Sequence, residues 1–213
     1  MKGFAALVAG ALLFMATGAA QGSYITLSNS ELLTATVIGS NNQEEYGGWF
    51  KALDYTPTGT LFIQNMSRPM APGALPYYVY SYVGVDAARA GKSDLTGVDS
   101  FELRLANVNN SPWELALFVQ ADGATYLSDY QVVPNQKNPV DMKNFSFDLS
   151  LLGPDRTDVE YLGFAVRSML DYDPSNPDAY HVLAAPVPEP GTVLLLGTGI
   201  FGLAIYGKRR KRA

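Results

Sequence analysis

Apolar residues recur at every second position through much of the middle of this chain, and that period suits a strand and rejects a helix. Phe101, Leu103 and Leu105 alternate with Ser100, Glu102 and Arg104. The same beat runs through Phe145, Phe147 and Leu149, and again through Leu162, Phe164 and Val166. A helix would scatter such a set around its axis, whereas a strand gathers it on one face. Further strands are predicted at Leu32–Ile38, Thr60–Gln64, Tyr77–Val83, Trp113–Val119, Thr125–Val133 and Tyr180–Leu183. Turn-forming clusters separate them, among them Pro57-Thr58-Gly59, Asp122-Gly123 and Gly153-Pro154-Asp155. Short strands with turns between them predict an all-β fold, an antiparallel β-sandwich of jelly-roll-like form. One short helical turn is expected at Asp86–Asp94.

The two ends break the pattern. Lys2 is followed by an apolar stretch, Phe4–Ala16, and then by small residues around Ala20 and Gly22. That order predicts a signal helix and a signal peptide over 1–22, removed by a signal peptidase after Ala20 or Gly22. Near the other end, Gly191–Gly207 is an uncharged run of 17 residues, 8 of them Leu, Ile, Val or Phe. It is just long enough to cross hydrocarbon as a transmembrane helix. The basic cluster Lys208, Arg209, Arg210, Lys211 and Arg212 follows at once and is expected to stay on the cytoplasmic side. The domain division is therefore 1–22 leader, 23–185 sandwich, 186–190 linker, 191–207 membrane helix and 208–213 tail.

Composition then excludes several chemistries. There is no cysteine, hence no disulfide framework, thiolate metal site or cysteine nucleophile, and a single histidine rules out a site of two imidazoles. Between Ser23 and Ala185 stand 9 basic and 19 acidic residues, a net of −10. Such a body repels phosphate backbones, so nucleic acid is not an expected partner.

The linker reads Val187-Pro188-Glu189-Pro190. Val187 and Glu189 each precede a proline and are pushed out of the helical region, while the prolines have φ fixed. The chain is thus held extended beside the membrane, with the Glu189 carboxylate available for recognition. Motif, short apolar helix and basic cluster together resemble the PEP-CTERM sorting signal of Gram-negative bacteria that make extracellular polysaccharide. The resemblance implies processing by an exosortase: an exported precursor anchored in the inner membrane, then a protein at the cell surface or in the extracellular matrix. The stretch Val98–Met169 also looks like a jelly-roll carbohydrate-binding module of the galactose-binding-like kind. That likeness rests on Phe101–Leu105, Trp113–Val119, the Asp122-Gly123 turn, Asp148-Leu149-Ser150 and Leu162–Val166.

Three groups are candidates for ligand chemistry. Tyr78, Tyr80 and Tyr82 share one face if their segment is a strand. Exposed, the row is a platform for stacking on sugar rings; buried, it is core with hydroxyls bonded at the rim. Trp49 follows Gly47-Gly48 in an expected loop and Trp113 opens a strand after Ser111-Pro112, so both are candidate carbohydrate contacts. Asp171, Asp173, Asn176 and Asp178 set four oxygen-bearing side chains in eight residues, a candidate calcium loop without the spacing of an EF-hand. Calcium is thus the one cofactor the sequence suggests. His181 is read as structural, because no Gly-x-Ser-x-Gly elbow accompanies it. The expectation is a non-enzymatic protein of the biofilm matrix that associates with extracellular polysaccharide. The alternatives are a structural or adhesive matrix protein that binds no glycan and a secreted hydrolase.

Overall fold

The computed structural model describes residues 23–41, 50–65, 78–108, 113–134, 142–169 and 179–188. Twelve strands occur among these residues: β1 (Tyr24–Ile25), β2 (Thr36–Ser40), β3 (Phe50–Tyr55), β4 (Gly59–Asn65), β5 (Tyr78–Asp86), β6 (Ser100–Asn107), β7 (Trp113–Ala121), β8 (Ala124–Leu127), β9 (Gln131–Val133), β10 (Lys143–Asp148), β11 (Val159–Met169) and β12 (Ala179–Ala185). One helical turn, α1 (Asn29–Leu32), precedes β2, and a kinked pair of 3-10 turns spans Leu149–Thr157. The strands form two six-stranded sheets. The first runs β1-β6-β12-β4-β3 with β10 also on β6, and the second runs β2-β5-β11-β7-β8 with β9 also on β7. All pairings are antiparallel except β1 with β6.

Burial follows the predicted alternation. Phe101, Leu103 and Leu105 of β6 face the interior, as do Phe145 and Phe147 of β10 and Leu162, Phe164 and Val166 of β11. The layers meet through ring contacts. Phe62 lies edge-on to Phe164 at 5.0 Å, and Trp113 edge-on to Tyr180 at 4.6 Å. The Tyr180 hydroxyl donates to the Val79 carbonyl across the layers at 3.0 Å, so its polar end is satisfied inside the core. Each buried ring or branched chain of this kind contributes about 1.5–3 kcal/mol.

Several expectations need correction. Leu32–Ile38 is not one strand. Ser28 caps α1 with its side chain on the Glu31 N–H while the Glu31 carboxylate returns to the Ser28 N–H, so the chain turns before β2 begins. Thr125–Val133 is two strands, because Ser128 breaks the run: its N–H donates to the Leu117 carbonyl at 2.9 Å and its hydroxyl accepts the Leu117 N–H at 2.9 Å. Leu149 leaves the strand, since Asp148 caps the following 3-10 turn through the Ser150 N–H at 2.8 Å. The expected helical turn after β5 is a series of turns with one α-type bond, Ala90 N–H to the Asp86 carbonyl at 3.1 Å, and one 3-10-type bond, Gly91 N–H to the Ala88 carbonyl at 3.1 Å. Strands β1 and β3 were not among the predicted ones. Among the described residues no helix is long and apolar enough to cross a membrane; segments 1–22 and 191–213 lie outside them.

Candidate functional site

The outward face of the second sheet carries an unusual set of side chains, and strand register explains how they meet. On β5, Val79, Ser81, Val83 and Val85 point inward, which turns Tyr80 and Tyr82 outward, where both are half-buried. Cross-strand pairing sets Tyr80 beside Arg167 of β11, and Arg167 beside Glu114 of β7. One row along, Tyr82 pairs with Ala165, and Ala165 with Ala116. The next row is Gly84, Gly163 and Phe118.

Small residues make the floor on which the rings lie. A Cβ on Gly163 would sit 2.0 Å from the Val83 carbonyl oxygen, and one on Gly84 would sit 2.8 Å from the Phe118 ring. A Cβ on Gly39 would likewise stand 3.2 Å from the Tyr82 ring. Phe118 therefore lies across two glycines, and although it points away from the core it is 0% exposed. The Tyr82 ring tilts against Phe118 at 5.5 Å and against Tyr80 at 5.4 Å.

Tyr130 completes the cluster from the connection between β8 and β9, which Ser128 pins to the edge of β7. The Arg167 guanidinium lies over its ring, 3.7 Å from the centroid, a cation–π contact. Arg167 Nε also donates to Glu114 Oε2 at 2.8 Å, so the one cation at the centre of the cluster is matched by one anion. Burial, then the neighbouring Tyr82, push the Tyr130 phenol up to about 12, against the opposing pull of Arg167. Tyr82 is raised as well, by burial first and Tyr80 second, while a hydrogen bond with Tyr130 works the other way. Tyr82 and Tyr130 are thus held in the phenol form, and with Arg167 paired to Glu114 the cluster presents aromatic faces and hydroxyls.

The sequence candidates separate as follows. Tyr80 and Tyr82 stand together in this cluster, and Tyr78 is the first residue of β5. Trp113 is corrected: it is 0% exposed and packs between the sheets, where no ligand at the surface reaches it. Its parity with Leu115 and Leu117 on β7 puts it on the inner face. Trp49 and the calcium candidates Asp171, Asp173, Asn176 and Asp178 lie outside the described residues. Among the described residues no group of three metal-binding side chains occurs. His181 stands on the outer side of the first sheet, paired with Ile63 of β4, away from the tyrosines. Tyr130, Arg167, Glu114 and Phe118 were missed. Arg167 and Glu114 were visible only as polar beats of their strands, and nothing local joins Tyr130 to either.

The linker begins within the described residues. Val187 donates its N–H to Thr26 Oγ1 at 3.2 Å, and Tyr24 donates its hydroxyl to the Pro188 carbonyl at 2.9 Å. Glu189, Pro190 and the basic cluster lie beyond them.

The family described as the PEP-CTERM protein-sorting motif matches residues 186–211, so the chain carries that motif. No curated protein matches the chain. Among solved structures the chain is similar to an exo-beta-agarase, at 10% sequence identity and a TM-score of 0.38, over 73% of this chain and 24% of that one. The chain thus spans about a quarter of that protein's length.

Proposed function

We propose that this chain is a non-catalytic surface protein that holds extracellular polysaccharide on the outer face of its second sheet. Its sorting motif marks it as an exported protein processed by an exosortase. In this reading residues 1–22 are removed on export. Gly191–Gly207 anchors the precursor in the inner membrane, and the sandwich ends at the cell surface or in the matrix.

One observation carries the sugar-binding part: Tyr80, Tyr82 and Tyr130 gather outward on a glycine floor around the Arg167–Glu114 pair. Sugar rings offer C–H groups to aromatic faces and hydroxyls to phenols, and this cluster has both to give. Its central charges cancel, and the body around it carries a net of −10. That balance favours an uncharged polysaccharide and repels an anionic one.

Retention of the exported protein on neutral and on acidic polysaccharides tests the reading. Neutral chains should retain it more strongly, and Tyr82→Ala should weaken retention about two- to tenfold, the worth of one aromatic contact. Retention by no polysaccharide would make the sandwich a structural or adhesive element of the matrix instead.

A further inference from the structure

Every polar atom of Ser23 is engaged by the sandwich. Its backbone N–H donates to Asp99 Oδ2 at 2.8 Å and its hydroxyl to the Gly97 carbonyl at 2.6 Å. Its carbonyl accepts the Asp99 N–H at 2.8 Å and the Ser100 N–H at 3.3 Å. Ser23 is thereby fixed where β1 joins β6.

The sequence offers two cleavage positions with small residues in the places a signal peptidase reads, after Ala20 and after Gly22. They differ in what faces Asp99. Cleavage after Ala20 leaves Gln21 and Gly22 in front, and the Ser23 nitrogen stays an ordinary amide. Cleavage after Gly22 adds water across the Gly22–Ser23 bond, leaving a carboxylate on the departing leader and an ammonium on Ser23. That charge forms on the very nitrogen already 2.8 Å from a carboxylate oxygen, turning a neutral donor into a charge-assisted one.

Resting on the export reading above, we propose that Ser23 is the first residue of the exported protein and that its α-ammonium is held by Asp99. The pair has a consequence at the other end of the chain. Strand β1 occupies the edge of β6 at Ser100 and Phe101, just beyond the stretch Arg104–Asn107 that β12 occupies. The chain leaving β12 is therefore carried alongside β1, where Thr26 and Tyr24 hold Val187 and Pro188. The new N-terminus fixes the strand on which Val187 and Pro188, the first residues of the sorting motif, are seated.

The test uses protein exported by cells that express the full chain. Its N-terminal residue is read by mass spectrometry. Its α-amine is acylated at neutral pH beside that of Asp99→Asn. The expected results are Ser23 at the N-terminus and an amine that reacts about two- to fivefold more slowly than in Asp99→Asn, the range of an exposed ion pair. If Asp99→Asn is not recovered folded, the wild-type amine in denaturant serves as the faster reference. An exported chain starting at Gln21, or equal rates, overturns this proposal alone. A chain found only inside the cells and still starting at Met1 overturns the export reading together with it.

Discussion

The two faces of the second sheet are both lined with aromatic side chains, β7 contributing one to each, yet they are stabilised in different ways. On the inner face Trp113 and Phe164 each meet a ring of the opposite sheet, Tyr180 and Phe62. Packing there is supplied by a whole second layer. On the outer face Phe118, Tyr82 and Tyr80 have no opposing sheet among the described residues and lean on one another and on glycines of their own sheet. Phe118 is as buried as Trp113, yet its ring contacts among the described residues come from its own sheet and not from across the sandwich. Burial fraction alone does not tell core from platform; the partner does.

The largest expected effect breaks the inner face. Trp113→Ala removes the biggest fully buried side chain among the described residues, together with its contact on Tyr180, and should cost about 3–5 kcal/mol in denaturant unfolding. Tyr82→Ala removes a half-buried ring from the outer face and should cost clearly less. Equal losses would mean that the outer rings are core after all.

A second, smaller effect addresses the glycine floor. In Gly163→Ala the new methyl would lie 2.0 Å from the Val83 carbonyl oxygen, so β5 and β11 must move apart. The expected loss is about 1–3 kcal/mol, as for other overpacked sites. Because Phe118 lies across this row, the near-ultraviolet circular dichroism of the aromatic residues should change with it. A variant of wild-type stability with an unchanged aromatic spectrum would show that the floor does not set the rings.

These faces were legible in the sequence to different depths. Alternation alone identified β6, β10 and β11, since a period of two needs no knowledge of the partner strand. It also placed Tyr80 and Tyr82 on one side together. Trp113 was rightly placed at the opening of a strand but was misread as a sugar contact, although its parity with Leu115 and Leu117 already pointed inward. The Ser28-x-x-Glu31 spacing of α1 was readable as a cap but was overlooked beside the apolar run that follows it. Strand β3 escaped notice because Phe50–Tyr55 is half-exposed on an edge and its alternation is faint. The meeting of Tyr130 with Arg167 depends on the path of the β8–β9 connection over a neighbouring strand. No local pattern encodes such a contact, and the charge balance of the cluster follows from it.

The smallest effect is confined to alkaline pH and sharpens the outer face alone. An exposed tyrosine ionises near pH 10, while burial and Tyr82 push Tyr130 up to about 12. A phenol that resists ionisation when folded stabilises the fold fully below the unfolded value. That contribution is lost as pH rises from about 10 through 12, because the unfolded chain ionises first. Absorbance titration of the folded protein at the phenolate band should therefore show a late-ionising group that Tyr130→Phe removes. Inner-face variants at Trp113 that remain folded should leave the late group in place, because its environment is built by Arg167, Tyr82 and Tyr80 and not by the core. Should Tyr130 instead titrate with the exposed tyrosines, its ring is not buried beside Tyr82, and the outer cluster reduces to the tyrosine pair on β5.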